Sequence, residues 1–113
     1  MAAAKPSRLE LMQGTLDLMI LRTLVAGRSH GHAIAKHIQR TSEEVLQVET
    51  GSLYPALHRL EAQGWISAEW ELSDKGKRAK FYSLTRTGRK QLATELSKWE
   101  QFSLAIGRVL KPV

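Results

Sequence analysis

The stretch "TGSLYPALHRLEAQGWI", Thr50 to Ile66, decides the fold. With Leu53 at the origin of a helical wheel, Leu57, Leu60 and Ala56 gather around it. Pro55, His58, Arg59 and Ala62 face the other way, and Tyr54 lies on the flank. Thr50 or Ser52 can cap such a helix, and Gly64 stops it. Pro55 falls in or just past the first turn, where a missing N–H costs least. A solvated helix face is usually rich in Lys and Glu. This one is slim, able to hydrogen-bond, and carries one full positive charge. That suits a helix entering the DNA major groove, where bulk would hold the backbone away from the base edges.

Upstream, a helix is expected from His30 or Gly31 to Arg40, with Ile34 and Ile38 one turn apart on its inner face. "TSEEVLQVE" connects it to the opening stretch, so helix, turn and helix occupy residues 30–63. Downstream the period changes from helical to alternating. In "WISAEWEL", Ile66, Ala68, Trp70 and Leu72 share one face of a strand, with Ser67, Glu69 and Glu71 on the other. "SDKGK" is a turn, and "RAKFYSL" is a second strand with Tyr82 and Leu84 inward. A hairpin directly after a helix-turn-helix is a winged helix. Its tip carries Lys75, Lys77, Arg78 and Lys80, opposed by Asp74. Phosphate contacts position a protein on DNA and supply salt-dependent affinity, while contacts to base edges read sequence. The expected DNA-facing set is therefore Ser52, Tyr54, Pro55, His58 and Arg59 on the 50–63 helix, the four basic residues of the 73–80 wing, and Lys36 on the preceding helix.

The flanks speak for a second subunit. In "GTLDLMILRTLVAG", Thr15 can cap a helix, Asp17 suits its first turn, and Gly27 can end it. Leu16, Leu18, Met19, Ile20, Leu21, Leu24 and Val25 surround most of that helix, so it needs cover on more than one side. At the other end, Thr85 or Thr87 caps a helix on which Leu92, Leu96, Trp99, Ser103, Ile106 and Leu110 form a heptad seam with one polar break. Met19, Ile20, Leu92, Leu96, Trp99, Ile106 and Leu110 are assigned to a homodimer interface. Burying roughly six large apolar side chains per subunit contributes on the order of 10 kcal/mol before entropic costs. The fold class is thus mainly α with a small β-hairpin, divided into a winged helix-turn-helix over residues 10–84 and a dimerisation helix over 85–113.

Composition agrees. The chain has 113 residues, is 42% hydrophobic, and carries 17 Lys and Arg against 11 Asp and Glu, a net +6. That excess suits a polyanion, with double-stranded DNA ahead of an anionic membrane. Without cysteine there are no disulfides and no thiolate metal sites. The N-terminal lead-in over residues 1–8 reads as loose and not as a signal peptide, and the longest apolar run, Leu18–Leu21, is too short to span a bilayer. A soluble, cytoplasmic protein without membrane partners is expected. His30, His32 and His37 lack a carboxylate or thiolate partner and do not make a metal site. Ser52 in "TGSLYP" lacks the second glycine of a nucleophile elbow, and no carboxylate pair or phosphate-cradling loop is present, so no enzyme and no cofactor are expected. The competing reading is a winged helix whose basic wing grips RNA or an acidic protein.

"GTLDLMILRTL", "HGHAIAKHI", "GSLYPALHRLEAQGWI" and "KRAKFYSLTRTGRKQL" together resemble the PadR family of bacterial transcriptional regulators. The likeness runs over about residues 11–110. The short tail is similar to the small-tail branch, and the wording around "QGTLDLMIL" and "EEVLQVETGSLYPALHRLE" to its acidobacterial group. The resemblance implies a homodimeric winged-helix repressor on an inverted-repeat operator. Tyr54 and Pro55 match the family's Tyr-Pro signature on the DNA-facing helix, and the wing bases match its phosphate-contacting hairpin. His32 stands where many members carry an aromatic residue, often Tyr, so no contact is carried over to it. In a drug-binding branch, tryptophans of the last helix sandwich flat ligands between subunits. Trp99 therefore has two readings, a seam filler or a site for a small planar aromatic effector.

Overall fold

The computed structural model describes residues 8–72 and 74–112. The lead-in up to residue 7, Ser73 of the wing turn and Val113 of the tail lie outside the described residues. Helix α1 spans Arg8–Thr23 and tightens into a 3₁₀ turn at Leu24–Ala26. Strand β1 is Ser29–His30, α2 is Gly31–Thr41 and α3 is Thr50–Ala62. The hairpin strands are β2, Ile66–Leu72, and β3, Arg78–Leu84, and the chain closes with α4, Arg86–Leu110.

Two expectations about α1 are corrected. It runs from Arg8, so Thr15 lies inside the helix and not at its N-cap. "GT" reads as a start signal, but Leu9 to Gln13 are all good helix formers and carry the helix past Gly14 despite a cost of about 1 kcal/mol. Ile20, assigned above to the subunit interface, is fully buried inside the protomer, and Leu92 is 9% exposed. Both belong to the protomer's own core. With them pack Leu21, Leu24, Ile34, Ile38, the α3 face of Leu53, Ala56, Leu57 and Leu60, and Ile66 and Tyr82 of the hairpin.

His30 caps α2, its Nδ1 accepting the Ala33 N–H at 3.1 Å. Helix α3 starts after Glu49, which makes no side-chain cap, and Pro55 sits inside the helix. The missing N–H leaves the Gly51 carbonyl without its helical donor, at an exposed first turn where solvent is at hand.

The sheet has three antiparallel strands in the order β1-β3-β2. Two residues of β1 are too few to announce a strand by alternation, so the sequence reading held only the hairpin. Register within the hairpin pairs Ile66 with Leu84, Ala68 with Tyr82, Trp70 with Lys80 and Leu72 with Arg78. These eight share one face, because directly opposed residues project to the same side. At its base that face is core, with Ile66 and Tyr82 each 2% exposed. Further out it leaves the body, and Trp70 and Leu72, on the same face as Ile66, are exposed.

The segment "LTRTG" is a latch. The Thr85 and Thr87 hydroxyls both donate to the Gly64 carbonyl, at 2.7 and 2.9 Å. Thr85 Oγ1 accepts the Gly88 N–H at 3.0 Å, capping α4, and the Thr85 N–H donates to the Trp65 carbonyl at 3.1 Å. A Cβ on Gly88 would lie 1.9 Å from the Trp65 carbonyl oxygen, so only glycine fits. The start of α4 is thereby fixed to the corner between α3 and β2.

Candidate nucleic-acid interface

Helix α3 turns its apolar side into the core and presents Ser52, Tyr54, Pro55 and His58 to solvent. Tyr54 is 41% exposed, and its ring closes over the start of α2, where a Cβ on Gly31 would meet a ring carbon and the hydroxyl oxygen at 3.1 Å. The ring is thus held on the flank of the outward face.

Across from α3 stands the wing. Between them lies a cleft of about 810 Å³, with His30, His32, Tyr54 and His58 on one wall and Trp70, Lys75, Arg78 and Lys80 on the other. The two faces of the hairpin differ in charge. The face that continues out of the core carries Lys80 and Arg78, and the opposite face carries Glu69 and Glu71. Glu71 is drawn further away by a bidentate pair with Arg28, whose guanidinium also lies over the Phe81 ring at 5.3 Å. Asp74 at the tip is the acid that joins the cleft lining.

Two of the expected DNA contacts are engaged within the protomer. Arg59 does not offer a free charge. Its Nη2 donates to Asp17 Oδ1 at 3.0 Å, tying α3 to α1. Burial raises the Asp17 carboxyl above the usual carboxylate range, against the opposing pull of Arg59. Lys80 is likewise held, donating to Glu61 Oε1 at 3.1 Å. The helical wheel placed Arg59 away from Leu53, but α1 packs across that side and supplies a carboxylate; sequence spacing carries no information on such a crossing. Lys75, Lys77 and Arg78 form no ion pair among the described residues and are exposed. Lys36 is exposed on α2 beside a shallower hollow shared with His32 and Arg40.

Two residues that face the cleft were missed. His32 was set aside for want of a matching aromatic, and Trp70 was given a strand face, shared with Ile66, Ala68 and Leu72, but no role. Counting how many strand residues the helices can cover would have exposed Trp70, since a β-hairpin of seven-residue strands outruns a body this small.

Residues 20–94 match the Transcriptional regulator PadR-like family. The chain belongs to that family. Among curated relatives, the Transcriptional regulator Rv3488 of Mycobacterium tuberculosis is 30% identical over 94 residues, 83% of this chain and 84% of that protein. Among solved structures, a transcriptional regulator from Clostridium thermocellum superimposes with a TM-score of 0.82 at 30% identity, covering 89% of this chain and 98% of that one. A PadR family regulator from Eggerthella lenta gives 0.75 at 30% identity, with 93% and 89% covered. As a PadR-like regulator the chain has a winged-helix fold and a DNA-binding role in transcription. The three relatives named above are transcriptional regulators. Among the described residues, no helix is long and apolar enough to cross a membrane.

On α4, Leu96, Trp99, Phe102, Ile106 and Leu110 are 40% to 74% exposed. Trp99 and Phe102 contact each other at 6.3 Å between ring centroids, tilted by 45°. The protomer extends 58 Å along its longest axis against 31 and 24 Å across it.

Proposed function

We propose that this protein is a cytoplasmic, homodimeric repressor that binds an inverted-repeat operator. In this reading residues 10–84 are the DNA-binding unit and residues 85–113 the dimerisation helix. The outward face of α3, with Ser52, Tyr54, Pro55 and His58, enters the major groove. Lys75, Lys77 and Arg78 of the wing engage the backbone, and Lys36 adds a contact from α2. The observation that carries the proposal is the division of charge on the hairpin: cations line the side facing α3, and Glu69 and Glu71 lie on the side facing away. A duplex seated on α3 meets the basic face and avoids the acidic one.

The dimer reading rests on the apolar arc of α4. Phe102 and Val109 extend the seam of Leu96, Trp99, Ile106 and Leu110 to one side, wider than a two-stranded coiled coil requires. An arc of that width suits contact with two helices of a partner, and Met19, half-buried on α1, is assigned to the same interface. Two winged units related by a two-fold axis meet half-sites about one helical turn apart, roughly 34 Å.

Footprinting tests the reading. The expected result is two protected half-sites with inverted symmetry, lost when His58 and Pro55 are replaced by Ala and Glu. A single protected patch, or protection indifferent to those changes, contradicts it. For Trp99, a planar aromatic that quenches tryptophan fluorescence in the native protein and not in Trp99→Leu supports an effector site between subunits. Quenching equal in both assigns Trp99 to the seam alone.

A further inference from the structure

The wing carries an indole that its own core does not need. Trp70 is 59% exposed at the outer part of β2, on the face turned toward α3. Its direct cross-strand partner is Lys80, which is pulled back to Glu61 on α3. The diagonal neighbour takes the ring instead: the Arg78 guanidinium carbon lies 5.3 Å from the Trp70 ring centroid. Diagonal pairs lie within reach of aromatic and long side chains, and a guanidinium is weakly hydrated and planar, so the contact restrains it.

The wing cations therefore divide into two kinds. Lys75 and Lys77 flank the tip glycine Gly76, which has φ +73°, and are exposed point charges suited to phosphate. Arg78 is stacked, lies nearer the body, and lines the cleft before α3. With α3 in a major groove about 12 Å wide, the opposing wing lies over the neighbouring backbone and minor groove. A narrow, A·T-rich minor groove has an enhanced negative potential that attracts arginine.

We propose that Trp70 is a positioning residue for Arg78, holding its guanidinium toward the minor groove beside each half-site and giving the protein a preference for A·T-rich flanks. This rests on the DNA-binding reading above and adds a specificity determinant to it. Lys80, anchored to Glu61, keeps the wing at a set distance from α3, so the stacked guanidinium projects into the groove and not along the helix.

The test uses a preferred duplex selected from a random pool, with its flanking adenines replaced by 2,6-diaminopurine. That base adds an amino group to the minor groove and leaves the major-groove edge unchanged. The native protein is expected to bind the substituted duplex about tenfold more weakly. Trp70→Leu and Arg78→Lys are expected to bind both duplexes within about twofold of each other while still rejecting a scrambled core. Trp70→Phe, which keeps a ring, retains the discrimination. Arg78→Lys keeps the salt dependence of binding, and Arg78→Ala lowers its slope by about one. All four changes fall on exposed side chains, and melting curves check the fold. Full discrimination in Trp70→Leu or Arg78→Lys overturns the proposal, as does a native protein indifferent to 2,6-diaminopurine. A native protein that does not distinguish the selected core from its scramble instead removes the DNA-reading function itself.

Discussion

Helices α3 and α4 are both amphipathic, yet their apolar sides meet different fates. On α3, Leu53, Ala56, Leu57 and Leu60 are 0% to 2% exposed, covered by α1, α2 and the hairpin. On α4, Leu92 alone of the seam reaches that company, and from Leu96 onward the apolar residues stand open. One helix is held from behind so that its polar face can work. The other holds its apolar face outward. Burial along α4 stops after Leu92, one turn past the latch at Thr85–Gly88, and the apolar arc beyond it is the surface the proposed dimer would cover.

The largest expected effect of a single substitution lies at the latch. Gly88→Ala drives a methyl into the Trp65 carbonyl, and neither the α3–β2 corner nor the start of α4 can shift without losing the Thr85 and Thr87 bonds. A loss of more than about 4 kcal/mol is expected, read as a collapse in denaturant midpoint. Next, Leu57→Ala in the covered face costs about 3 kcal/mol by lost transfer energy and a cavity. The uncovered face behaves otherwise: Leu96→Lys with Ile106→Lys gives monomers in sedimentation, while the helical circular dichroism of residues up to the latch persists. A dimer mass unchanged in that variant sinks the partner reading.

The smallest effect sharpens the α1–α3 contact behind the reading helix. Because burial raises the Asp17 carboxyl, the native state binds this proton more tightly than the unfolded chain does. The site therefore favours folding as pH falls through the raised value toward 3.8, and works against it above that window. Asp17→Asn is expected to gain melting temperature relative to the native protein at pH 7, and the gain should shrink toward pH 4. A gain that grows on acidification contradicts the assignment.

Much of the winged helix was legible because its signals are periodic. The Leu53–Leu57–Leu60 spacing, the alternation in "WISAEWEL" and the Thr85 cap each depend on neighbours in sequence. What stayed hidden depends on elements crossing. Asp17 reaches Arg59, and Glu61 reaches Lys80, through packing that no local pattern encodes. Strand β1 was too short to have a period, and Trp70 was placed on the right face without any sign of where the body beneath it ends. Ile20 fell inward for a related reason. A helix apolar nearly all round does not say which side its own protomer takes.

The most direct measurement is binding of the intact protein to a duplex selected from a random pool and to a scrambled duplex of equal composition, across a salt series. A preference of about a thousandfold that persists as salt rises is expected, because base contacts from α3 differ between the two duplexes while wing contacts to phosphate do not. Equal affinities that fall together steeply with salt would contradict it, leaving a protein that grips backbone and reads nothing.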